Sequence, residues 1–146
     1  MLDLTLASAH HLLIFVIFGT LFGEMVALNG AVDARTLKRV ARLDLVYGVA
    51  AALVLVVGFG RAIFAAKGWN YYSHNGFFWA KIATFALIGL ISIKPTVAFL
   101  RWKKSAMVPD EAALRHVRLL LHVELTLFVL LPIFAAAMAR GYGVFG

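Results

Sequence analysis

Residues 4–28 read LTLASAHHLLIFVIFGTLFGEMVAL. Ionisable groups interrupt this run only at His10, His11 and Glu24. A bilayer core about 30 Å thick takes about 20 residues of helix, so the run is long enough to span one. Period-2 alternation is absent, which argues against strands. Three further segments have the same character: Leu43–Phe64, Phe77–Leu100 and Val117–Ala139. The expected fold is therefore all-α, an integral membrane four-helix bundle in a single domain over residues 1–146. There is no internal repeat and no linker. The first span is not expected to be a cleaved signal peptide. Its head, Met1-Leu2-Asp3-Leu4, carries no basic residue, and its apolar run is too long.

Composition agrees with this reading. Of 146 residues, 63% are hydrophobic and 14% are charged, and the mean hydropathy is +0.92. A soluble domain carries about 25% charged residues. With no cysteine in the chain, disulfides, thiolate metal sites and iron–sulfur clusters are excluded. Lys+Arg number 14 against 7 Asp+Glu. In a membrane protein that surplus sets orientation and meets anionic lipid rather than nucleic acid.

The connections expected from the spans are Asn29–Arg42, Ala65–Gly76 and Arg101–Arg115. Asn29-Gly30 reads as a helix stop, and Pro109-Asp110-Glu111 as a helix start. Arg35, Lys38, Arg39 and Arg42 crowd the first connection. Arg101, Lys103, Lys104 and Arg115 crowd the third. The positive-inside rule puts both on the cytoplasmic side, with both termini outside. In a bacterium this means a multi-pass protein of the inner membrane.

Ionisable side chains inside spans are costly and are functional candidates by default. Helix rise places His10 and His11 about 8 Å outward of the midplane. Lys81 and Arg61 fall at a similar depth, which makes an outer cluster of four. Trp69, Tyr71, Tyr72, His74 and Trp79 ring its mouth as an interfacial belt. Glu24, Asp44, Tyr47, Lys94, Arg118, His122 and Glu124 occupy the inner half. At about 100° per residue, His10, Glu24 and Asp3 share one face, and His11 points aside. Lys94 faces away and can snorkel. Glu124 and His122 lie nearly opposite each other on one helix, so one of them needs a partner protomer or a side pocket. A homo-oligomer is expected on that ground.

Membrane histidines without cysteine suit a b-type haem, because imidazole is a common haem-iron ligand and a bundle offers a slot for a flat macrocycle. Arg61 and Lys67 are placed to meet its propionates. There is no CxxCH, HExxH, P-loop or GxGxxG motif, so covalent haem, zinc hydrolysis and nucleotide binding have no support.

Three stretches carry a resemblance. They are His10-His11-Leu-Leu-Ile-Phe with Gly19 and Gly23, Gly76-Phe77-Phe78-Trp79-Ala80-Lys81, and Arg118-Leu-Leu-Leu-His122-Val-Glu124. Together they resemble the small four-helix HemJ-type protoporphyrinogen IX oxidases. The copper-resistance-D-like membrane domains are a looser match. The resemblance implies haem b held by His10 or His11, an essential Lys81, and functional roles for Arg118 and Glu124. The chemistry expected is electron transfer with porphyrinogen or quinone as reductant, a membrane oxidoreductase. The expected iron ligand is His10 or His11, with His10 preferred because it shares a face with Glu24, with Lys81 as sixth ligand or electrostatic partner and Arg61 near a propionate. The alternative from another class is a non-haem transporter, proton-relay subunit or assembly factor that uses the inner Glu/His/Lys cluster.

Overall fold

A computed structural model describes residues 1–64 and 68–145. Among these residues there are five helices: α1 Leu2–Asn29, α2 Ala34–Phe64, α3 Gly68–Ser73, α4 Gly76–Ser105 and α5 Glu111–Ala139. Four of them, α1, α2, α4 and α5, are long and apolar enough to cross a membrane. They pack as an antiparallel square. The backbones that neighbour one another around it are α1–α2, α2–α4, α4–α5 and α5–α1. Among the described residues there is no strand, only one isolated bridge between Asn75 and Val144.

The helices overrun the expected spans at the inner end. α2 starts at Ala34 rather than Leu43, because the inward stripe Leu37, Val40, Ala41, Asp44 continues unbroken while its basic residues face outward. Asp33 caps this extension: its Oδ1 accepts from the Thr36 amide at 2.7 Å and from the Thr36 hydroxyl at 2.9 Å. α4 runs on to Ser105, and α5 begins at Glu111, where Asp110 caps by accepting from the Ala113 amide at 2.8 Å. The connections therefore shrink to residues 30–33 and 106–110. Asn29-Gly30 and Asp110-Glu111 do end and begin helices, as their chemistry predicts.

The outer connection differs more. Residues 68–73 form a short helix where a loop is expected. The segment is too brief for periodicity to mark it. It is held by its aromatics, with Trp69 edge-on to Phe78 and Trp79, and by the Tyr71 hydroxyl donating to the Met138 carbonyl at 2.9 Å.

The bundle is unevenly filled. Leu28, Val40, Phe99 and Leu121 are fully buried in the inner half, with Trp102 and Val117 around them. Leu12, Phe15, Val56, Leu90 and Ile133 are exposed on the outside of the bundle. Apolar residues on both the inner and outer surfaces are what a bilayer solvent requires.

Candidate functional site

Both termini and the connection between α2 and α4 gather at one end of the bundle, the end the charge bias places outside. Arg61 at the end of α2 pairs with Asp3 at 3.6 Å. Asn75 knits this end together. Its Oδ1 accepts from the Phe77 and Phe78 amides at 3.0 and 3.3 Å, capping α4, and its Nδ2 donates to the Tyr142 carbonyl at 3.0 Å. The backbone adds Gly76 N–H to the Gly143 carbonyl at 2.8 Å and Phe145 N–H to the His74 carbonyl at 3.0 Å. Gly143 sits at φ +77°, and a Cβ there would lie 2.6 Å from Phe77 Cδ2. Only glycine closes this clasp without displacement.

Beneath the clasp is a cavity of about 840 Å³. All four members of the expected outer cluster, His10, His11, Arg61 and Lys81, line it. The remaining wall is largely apolar and comes from all four long helices, with Phe85, Phe128 and Pro132 among its residues. Pro132 lies within α5, where it removes the amide that would donate to the Phe128 carbonyl.

The two histidines are not equivalent. His11 is exposed, and its Nδ1 bonds the Ala7 carbonyl of its own helix at 2.6 Å. His10 is half-buried and packs on α2 at Gly58, where a Cβ would sit 3.1 Å from its Cε1. The Val54 carbonyl faces the His10 ring, yet Nδ1 completes no hydrogen bond among the described residues. Arg61 Nε, also buried, has no hydrogen-bond partner among the described residues either. Lys81 Nζ stands 6.0 Å from the centre of the Phe78 ring, within cation–π reach. Two polar atoms left without partners beside an apolar cavity are unusual, since buried polar atoms are nearly always satisfied.

The set Lys81, Arg118 and Glu124 does not converge. Lys81 is at the outer cavity. Arg118 is at the far end, where Nε and Nη2 donate to the Leu28 carbonyl at 2.9 and 2.7 Å and Nη1 meets Glu111 at 2.7 Å. It caps the last turn of α1. Glu124 is wholly buried in the inner half with Glu24, Asp44 and Tyr47. Of the expected inner group, Lys94 and His122 face outward, and His122 Nδ1 bonds the Arg118 carbonyl. Because Glu124 is enclosed by its own chain, it needs no partner protomer to shield it. The expectation of an oligomer then rests on His122 alone. Lys67 lies outside the described residues.

Asn75 was missed by sequence reasoning. An Asn directly before a Gly-Phe-Phe helix start is a capping signal, but its contact with residue 142 is not visible in local sequence. Asp33, outside the spans, has its carboxyl held below the usual aspartate range, first by the Thr36 amide and then by the Thr36 hydroxyl.

Residues 2–143 match the sequence model of a family described as predicted membrane protein (DUF2214). No curated protein and no solved structure matches. The chain belongs to that membrane-protein family.

Proposed function

We propose that this family member binds a b-type haem in its outer cavity and serves redox or haem metabolism. The observation that carries the reading is the His10 imidazole, half-buried at the wall of an apolar cavity of about 840 Å³ with Nδ1 unpartnered. Sites for small ligands and cofactors commonly enclose about 300–1,000 Å³ and pair apolar walls with a few placed polar groups. The residues present fit a haem. His10 is the iron ligand of choice, with His11 beside it, their rings 6.2 Å apart. Arg61, with Nε unpartnered, is suited to a propionate. Lys81 would ligate the iron or stand beside the haem as an electrostatic partner. Gly58 leaves space for the His10 ring, which a side chain there would displace.

Bound haem supplies one-electron chemistry. The chain's own groups position it, exclude water and place positive charge beside it. The resemblance to HemJ-type oxidases supports porphyrinogen or quinone as the electron donor. A homo-oligomer in a bacterial inner membrane belongs to the same reading. Arg118 and Glu124 are not assigned to this site, since they lie in the inner half.

The test is an absorption spectrum of protein purified from haem-replete cells, before and after dithionite. A Soret band that disappears in a His10→Ala/His11→Ala double variant is the expected result. Lys81→Met should move the band or the potential, and His122→Ala should leave it. A colourless protein, or a band that survives the double substitution, overturns the reading.

A further inference from the structure

Below the cavity, three helices bring carboxyl groups into the core: Glu24 from α1, Asp44 from α2 and Glu124 from α5. They are 1%, 7% and 0% exposed. Asp44 has one hydrogen bond, accepted from the Thr96 hydroxyl at 2.8 Å. Both oxygens of Glu124 are buried with no hydrogen-bond partner among the described residues, and Glu24 leaves Oε1 in the same condition. Glu24 is near enough to feel the charge of both Asp44 and Glu124, and Glu124 that of Asp44. The Tyr47 hydroxyl lies alongside Glu124 but falls short of hydrogen-bond geometry.

Among the described residues, no basic side chain pairs with them. The polar neighbours are Tyr47 on α2 and Ser92 and Thr96 on α4. Arg118 is engaged at Leu28 and Glu111. Arg42, Lys94, Arg115 and His122 are exposed. Among the described residues, the two ion pairs, Arg61–Asp3 and Arg118–Glu111, leave these three carboxyls out. Three like charges in an apolar core without a counter-charge are strongly unfavourable. A cation must accompany them. Hard metal ions require several converging oxygens, and among the described residues no three acidic or imidazole groups come together closely enough to hold one. A proton needs a single oxygen.

We propose that Glu24, Asp44 and Glu124 form a proton-binding site within the membrane, an exchangeable store of protons separate from the outer cavity. The site requires no haem, so it stands or falls apart from the reading above.

The full chain in lipid vesicles is treated with dicyclohexylcarbodiimide, an apolar reagent that attacks protonated carboxyl groups, and the adducts are mapped by mass spectrometry. The expected result is an adduct on Glu124 or Glu24 at neutral pH, lost as the pH is raised, with exposed Glu111 unmodified. Glu124→Gln and Glu24→Gln should each lose their own adduct and keep the helical circular-dichroism signal. The wild-type measurement stands even if either variant fails to fold. Absence of any adduct on the three carboxyls across the pH range overturns the proposal. So does protection by millimolar sodium or calcium at constant pH, which would make the occupant a metal cation.

Discussion

The outer and inner halves of the bundle treat buried polarity in opposite ways. The outer half surrounds bases with space: His10, Arg61 and Lys81 border a cavity, and two of their nitrogens lack partners. The inner half encloses acids: Glu24, Asp44 and Glu124 are buried in the half of the bundle whose core includes Leu28, Val40 and Leu121. Basic groups beside a void suit an anionic or metal-centred guest that arrives from elsewhere. Buried acidic groups without a basic partner suit the smallest cation. One fold therefore separates two kinds of buried polarity by depth, using the same four helices.

The largest effect should come from filling the contact beneath His10. Gly58→Val puts carbon where 3.1 Å remains to the imidazole, so haem retention should fall by about tenfold or more. Carbodiimide labelling of the inner carboxyls should be unchanged. Parallel loss of both would show that the two halves are one site.

Gly143→Ala loosens the outer clasp. A side chain at φ +77° and 2.6 Å from Phe77 should cost about 2 kcal/mol, read as a lower Tm in detergent. Carbodiimide labelling at the inner end should again be unaffected.

Glu124→Leu makes the opposite test. Replacing a buried, unpartnered acid with an apolar residue should be neutral or stabilising, by up to about 3 kcal/mol. Thermal unfolding should shift upward while the Soret band stays. A large destabilisation would mean that Glu124 has a structural partner.

The smallest effect belongs to the inner-end cap. Hydrogen bonds from Thr36 hold the Asp33 carboxyl below its ordinary range, so the folded state favours the charged form. That contribution is present above the unfolded-state pKa and is lost as the pH falls through the folded-state value. Asp33→Asn should lower Tm slightly at neutral pH, and the difference from wild type should close in acid.

Much of this division is legible in the amino-acid sequence. The spans follow from apolar runs too long for a soluble helix. The outer cluster follows from helix rise alone, because His10, His11, Arg61 and Lys81 share a height and all reach the same cavity. Height does not decide rotation, and there the inner group divides. Helical angle correctly turns Lys94 outward, but it leaves Glu124 and His122 as equal candidates for the interior. The folded bundle takes Glu124 inside. Arg118 shows a different limit: its partner is the Leu28 carbonyl, 90 positions away, and a backbone acceptor has no sequence signature. The same holds for Asn75 and the Tyr142 carbonyl, 67 positions apart.

Arg118 also determines how the seam between α1 and α5 can part. Its guanidinium pins the lower end of α1 to α5 with two bonds to one carbonyl. Higher up, Phe18 and Phe128 meet with ring centres 5.9 Å apart. Above them the same two helices flank the cavity. The seam is fastened at its foot and at its waist. The stretch of this seam that borders the cavity beside His10 thus lies beyond both fastenings.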